Sequence, residues 1–261
     1  MSIFNHSLLR IGYRSPGLSG ELDAKGKITL AEELDMSIIE PQMMPREFPE
    51  PASYTQYRDA TDSSKVSVRS VGSFLDFCDP SSAFEAELEQ AINNCKALGV
   101  SYSFLLAKWP PEGIPQAKTW DLLIGRAKDA VAAYNAAGIT VGFEPEWFIG
   151  SVERMARLVD RVNDDRLKVN FDPTNFFLYG SDPLEAIRLF SGRMLSGHIK
   201  DGIYKKGETR IGEGEVDWPA IFTEFLKREM SMDLYIEHCK SSEQIRQSAT
   251  AVSKILTAIL G

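Results

Sequence analysis

Val169-Asn170-Phe171-Asp172-Pro173-Thr174-Asn175 reads as a short β-strand that stops at an acidic residue and turns at once through proline. Successive strand side chains alternate, so Val169 and Phe171 face one way and Asn170 and Asp172 the other. Asp172 therefore stands at the carboxyl end of a strand. Three other segments end alike: Ile139 to Phe143 runs into Glu144-Pro145, Met194 to Gly197 into His198, and Asp233 to Ile236 into Glu237. Four strand ends thus carry one potential metal ligand each.

The same strand-then-helix rhythm covers the rest of the chain. Strands are predicted over 8–13, 36–40, 65–71, 100–107, 139–143, 167–171, 194–199 and 234–236. Helices are predicted between them. Ser82 with Glu85 has capping-box spacing, and so does Ser241 with Gln244; Asp182-Pro183 and Asp217-Trp218-Pro219 look like helix starts. Phe84, Leu88, Ala91, Ile92, Cys95 and Leu98 recur at helical spacing before Gly99. Four prolines between Pro41 and Pro51 exclude a regular helix there, with at most one turn around Tyr54 to Arg58. This long loop is expected to overhang the active face. Eight strands alternating with seven or eight helices demand a parallel sheet with helices outside. The fold class is α/β, a (β/α)8 TIM barrel forming a single domain over residues 1–261. An open doubly wound sheet is disfavoured, because Gly12-Tyr13-Arg14-Ser15 is not a dinucleotide-binding glycine turn.

Composition bounds the function. Net charge is -8, with 29 Lys and Arg against 37 Asp and Glu mixed along the chain. No basic stripe forms, so nucleic acid is not expected as a partner. Cys78, Cys95 and Cys239 are odd in number and far apart, which suits free thiols in a reducing compartment. Neither a secretory signal nor an apolar run of membrane length is seen, so the expectation is a cytoplasmic protein without a membrane partner.

In a barrel the carboxyl ends of all strands meet at one face. Glu144, Asp172, His198 and Glu237 end consecutive strands at intervals of 28, 26 and 39 residues. Each alone has a plain reading: Asp172 as a helix cap, Glu144-Pro145 as a solvated turn, His198 as a core histidine. All four in register point instead to a divalent cation, since three carboxylates would otherwise repel. Oxygen-rich ligation with one nitrogen suits Mn²⁺ first, then Mg²⁺ or Co²⁺, with Zn²⁺ a further alternative.

The segments Val141-Gly142-Phe143-Glu144, Asn170 to Thr174, Gly197-His198-Ile199-Lys200-Asp201, Arg210 to Trp218 and Tyr235-Ile236-Glu237 resemble the xylose isomerase-like barrels of the sugar phosphate isomerase/epimerase group. That resemblance implies a metal held by Glu144, Asp172, His198 and Glu237. It also implies two catalytic glutamates, Glu144 and Glu237, moving a proton on a keto sugar through a cis-enediolate. A lyase of the inosose dehydratase type and a non-catalytic sugar-binding barrel are the alternatives. Asn175 departs from the pattern, where many relatives carry histidine. Asparagine binds substrate by hydrogen bonds but cannot change charge near neutral pH. The trinuclear-zinc abasic-site endonucleases need more histidines than His6, His198 and His238, and His238 should face outward by alternation.

Further candidates are open in role. Lys200 should face the pocket, to bind a substrate oxygen or to pair with Asp172 or Glu237. Lys108, Trp109 and Trp147 belong to loops at the active face, where the aromatics either stack on a sugar or close the barrel. Arg14, after strand 1, reads as a surface salt-bridging residue first, with contact to an anionic substrate group as the alternative. Gly212-Glu213-Gly214 lacks the Lys-Ser/Thr of a phosphate loop and reads as a tight connector. A small sugar or polyol is the expected partner, and a homo-oligomer is compatible with the sequence.

Overall fold

The computed structural model describes residues 3–42 and 52–261. In chain order the elements are β1 (Leu9–Arg14), α1 (Ala24–Glu33), β2 (Ile38–Glu40), α2 (Ala52–Asp62), β3 (Ser67–Val68), β4 (Ser70–Ser73), α3 (Phe84–Leu98), β5 (Tyr102–Leu105), α4 (Gln116–Ala136) and β6 (Thr140–Phe143). There follow α5 (Val152–Val162), β7 (Leu167–Phe171), α6 (Pro173–Leu178), α7 (Pro183–Phe190), β8 (Met194–Ile199), β9 (Asp201–Ile203), β10 (Gly207–Thr209), α8 (Trp218–Lys227), β11 (Met232–Ile236) and α9 (Ser242–Leu260).

The main sheet is parallel, in the order β3-β2-β1-β11-β8-β7-β6-β5-β4. Its two ends, β3 and β4, are one strand interrupted at Arg69. A parallel bridge between Gln42 and Gly72, with Gly72 N–H donating to Pro41 O at 3.4 Å, carries β2 alongside β4 and nearly closes the ring. The nine segments therefore fill eight barrel positions, and the fold is a TIM barrel.

Barrel closure covers both faces of the sheet, which is why β4, β5 and β11 are buried at every residue. The large apolar cluster lies between strands and helices; Leu158, Leu167, Phe171, Phe225 and Leu234 belong to it. A separate small cluster, Tyr102, Phe104 and Leu106, alternates along and just beyond β5. Phe104 fits because Gly72 on the neighbouring strand has no side chain; a Cβ there would lie 2.4 Å from its ring. Likewise a Cβ at Gly142 would lie 2.4 Å from the Tyr102 hydroxyl. Glycines on adjacent strands thus make room for bulky neighbours.

Several local expectations need correction. The third strand begins at Ser67 rather than Lys65, ends at Ser73 and is broken at Arg69. Ser82 does not cap α3: its hydroxyl donates to Asp76 O and Asp79 O, and the helix starts only at Phe84 without a side-chain cap. The single turn expected near Tyr54 is the eleven-residue α2, anchored by buried Tyr57, whose hydroxyl lies 2.9 Å from Ser15 Oγ. α6 and the antiparallel β9–β10 hairpin are additions. The rest of the proline-rich loop beyond Gln42, up to Pro51, lies outside the described residues, and so does its expected place over the site. Cys78, Cys95 and Cys239 are free and buried. Among the described residues no helix is long and apolar enough to cross a membrane.

Candidate metal centre and active site

Glu144, Asp172, His198 and Glu237 follow or end β6, β7, β8 and β11, which are neighbours in the sheet. All four are buried, and one ligand atom from each lies within 4.8 Å of the others. Asp172 serves two purposes. One oxygen caps α6 by accepting Asn175 N–H at 2.9 Å, while Oδ2 turns into the site. His198 Nδ1 lies 2.8 Å from Glu144 Oε1 and 3.7 Å from Glu237 Oε2. The floor beneath it is Phe104, edge-on to the imidazole at 4.9 Å.

The protein also brings its own cations to this cluster. Lys200 Nζ lies 3.0 Å from Asp172 Oδ2, 2.7 Å from Glu237 Oε1 and 2.5 Å from Glu208 Oε1. Its backbone carbonyl is fixed by Thr174 Oγ1 and Trp218 Nε1, at 3.0 and 2.7 Å. Arg14 pairs with Glu237, sits 3.1 Å from Glu40 Oε1 and lies 5.1 Å over the Phe104 ring. Arg14 is thus an interior residue, not a surface one. Mutual repulsion of the carboxylates is partly relieved without a metal, so that argument alone does not demand an ion.

The donor set nonetheless fits a divalent ion. Glu144 Oε2 is buried without a hydrogen-bond partner among the described residues. Asp172 Oδ2 is within ion-pair distance of Lys200 yet not aligned for a hydrogen bond. Buried carboxylate oxygens left this way are costly unless a cation or donor meets them.

Electrostatics follow from burial and these contacts. Burial pushes Asp172 up to about 7, against the pull of Lys200. Burial alone would lower His198, but Glu144, Glu237 and Glu40 overturn it and raise the imidazole to about 10. Burial would raise Glu237, yet Lys200, His198 and Arg14 hold it well below the ordinary carboxylate range. Glu146, two residues past Glu144, rises to about 8 through burial and then through Glu144.

The remaining candidates divide. Asn175 is buried, with Nδ2 3.5 Å from Glu144 Oε1, and Lys200 is inside the site. Trp147 is half-buried against the Tyr102, Phe104 and Leu106 cluster. Trp109 is 53% exposed and packs edge-on against Phe148, with Arg154 5.5 Å over its ring. Lys108 is exposed, and among the described residues neither it nor Trp109 pairs with the quartet. His238 does not continue the strand's alternation. It has φ of 60°, and its Nδ1 lies 3.3 Å from Glu208 Oε2, which draws it towards the hairpin. A cavity of about 450 Å³, lined by Arg14, Gln42, Glu237, His238 and Lys240 among others, opens beside Glu237.

Sequence reading missed Glu40, Phe104, Glu146 and Glu208 as parts of this neighbourhood, and gave Arg14 a substrate contact only as an alternative, without its pairing to Glu40 and Glu237. Glu40 carried a usable signal, because Glu40-Pro41 repeats the strand-end pattern of Glu144-Pro145. Glu208 carried none, since it arrives on a hairpin whose position depends on tertiary packing.

The model of the xylose isomerase-like TIM barrel family matches residues 28–255. No curated protein matches the sequence. Among solved structures, a D-tagatose 3-epimerase-like protein superposes with TM-score 0.80 at 15% identity, covering 95% of this chain and 97% of that one. L-ribulose 3-epimerase gives 0.71 at 18% identity, covering 96% and 93%. The probable 3-DHS dehydratase AsbF from Bacillus anthracis gives 0.77 at 14% identity, covering 95% and 99%. At such identities the likeness is one of fold, and the assignment rests on the family match over most of the sequence. The chain belongs to the xylose isomerase-like TIM-barrel family.

Proposed function

We propose that this protein is a divalent-metal-dependent isomerase or epimerase of a keto sugar, with Mn²⁺ as the favoured ion. One observation carries the reading: Glu144 and Glu237 present ligand atoms within 4.8 Å of each other, and Glu144 keeps a second buried oxygen without a hydrogen-bond partner among the described residues. Glu144, Asp172, His198 and Glu237 would hold the ion. When bound, it would polarise a carbonyl and the adjacent hydroxyl, acidifying the C–H between or beside them.

The protein's own groups then supply the proton transfers. Glu237, kept ionised by Lys200, His198 and Arg14, is the base that takes the carbon-bound proton. The C–H electron pair moves into the enediolate. Glu144, having taken up a proton from solvent, would return it to the same carbon on its other face for an epimerase, or to the neighbouring carbon for an isomerase, where the hydroxyl proton also passes between the two oxygens; Glu237 then releases its proton to solvent. Asn175 offers a substrate hydroxyl its amide, and Lys200 steadies the developing oxyanion while holding Asp172 and Glu237 in place. Trp147, against the interior cluster, would close the apolar side of the sugar. Lys108 and Trp109 are exposed and do not line the cavity beside Glu237, so they would serve only a substrate reaching beyond it.

The test is a product assay by proton NMR with Mn²⁺ and two substrate types, a panel of keto sugars and a keto-inositol. An isomerised or epimerised sugar is the expected product. A dehydrated keto-inositol would move the protein to the lyases. Binding without turnover or C–H exchange would make it a sugar-binding barrel.

A further inference from the structure

Glu40 is the last residue of β2 and fully buried, and its Oε1 lies 2.9 Å from His198 Nε2. His198 Nδ1 faces the opposite way, towards Glu144 and Glu237. One ring nitrogen thus meets the quartet and the other meets a carboxylate outside it. We propose that Glu40 is the positioning residue of the metal centre: it accepts the Nε2–H of His198, fixes that tautomer, and so presents Nδ1 as the ligating nitrogen. The proposal rests on reading the quartet as a metal site.

The physical reason is that a ring nitrogen carrying a proton cannot donate its lone pair to an ion. Whatever holds the proton on one nitrogen therefore selects the other as ligand, and an anionic acceptor also makes the ring a better donor. Glu40 is itself fixed from two further sides. Ser70 Oγ on β4 donates to its Oε2, and Arg14 Nε lies 3.1 Å from its Oε1. Those contacts keep the carboxylate directed at the imidazole and out of the quartet. The competing neighbour of Nε2 is the Asn170 amide at 3.4 Å, which is longer and uncharged. Arg14 joins the two shells, pairing with Glu40 on one side and Glu237 on the other.

Zn²⁺ is a suitable probe because it is diamagnetic, and a chain with three histidines gives a simple imidazole spectrum. Long-range proton–nitrogen spectra of the Zn²⁺-loaded protein should show His198 with Nε2 protonated and Nδ1 ligated. By calorimetry, Glu40→Ala should lose about 10- to 100-fold in Zn²⁺ affinity, the usual cost of removing such a partner. Glu40→Gln still offers a carbonyl oxygen to the N–H and should lose clearly less. Circular dichroism checks that both variants fold; should Glu40→Ala not fold, Glu40→Gln and the wild-type tautomer decide the matter. Ligation of His198 through Nε2, or wild-type affinity in folded Glu40→Ala, overturns the proposal alone. A wild-type protein that takes up no Zn²⁺ overturns the metal reading as well.

Discussion

At Gly72 a single methyl group would reach within 2.4 Å of the Phe104 ring, which supports both His198 and Arg14. Gly72→Ala should therefore push the site floor upward. Overpacking of this kind costs about 1–3 kcal/mol, which thermal unfolding would register. Neutral or raised stability would show that the floor yields freely. Proton occupancy makes a second prediction at this scale. In the metal-free protein Asp172 is raised to about 7 and His198 to about 10, so both hold protons below those values. A metal must displace them, and binding releases protons. Mn²⁺ affinity should therefore climb as pH rises from 6 to 8, by about tenfold per unit for each proton displaced. An affinity measured by free-Mn²⁺ electron resonance that stays flat over that range would contradict the assignment. Asn175→Ala should raise KM while leaving kcat within a few-fold, since asparagine supplies a hydrogen bond and no proton. A collapse of kcat at unchanged KM would place Asn175 in the chemistry instead.

Among the elements, the segment from β9 to α8 shows how one carboxylate organises a loop. Asp201 Oδ1 accepts from Gly202 and Val216 N–H at 2.9 and 3.0 Å, and Oδ2 accepts from Gly212 N–H at 3.1 Å. Gly214 packs so closely that a Cβ would lie 2.2 Å from Asp201 Oδ1. Gly212-Glu213-Gly214 is thus a connector pinned to the residue after Lys200. Asp201→Ala would leave these donors without their acceptor, at about 1–3 kcal/mol for each one left unpaired in the interior. It should also loosen the hairpin that carries Glu208, seen as faster amide exchange over 202–217. Protection equal to wild type would show that packing, not Asp201, holds the loop. The helix starts that proved legible share a mechanism visible in the residues: Asp182, Asp217 and Ser241 each accept an N–H two or three residues on. Ser82 has the same spacing but spends its hydroxyl on the preceding turn, which no local rule reveals. The break in the third strand was equally hidden, because it arises from barrel closure rather than from local preference.

Across the whole molecule, alternation and strand-end chemistry were enough to place Glu144, Asp172, His198 and Glu237 at one point, since a parallel barrel leaves few other places for four such residues. The pairing of Lys200 with Asp172 and Glu237 was legible as well, because Lys200 lies two residues past His198 on the same side; that of Arg14 was not, since it reaches Glu237 from β1, at the far end of the chain. The barrel and its ion should also be coupled in stability. Mn²⁺ at about 100 times its Kd should add about 2.7 kcal/mol by mass action, read as a raised Tm that a chelator reverses. The most direct test of the two-glutamate chemistry is deuterium incorporation from D₂O into a turned-over keto sugar, with metal occupancy restored in every sample. Wild type should exchange its C–H, and Glu144→Gln and Glu237→Gln should each lose at least about 10²–10⁴-fold, the usual worth of a general base. Full exchange in both variants at full occupancy would contradict the account and move the proton transfer to other residues.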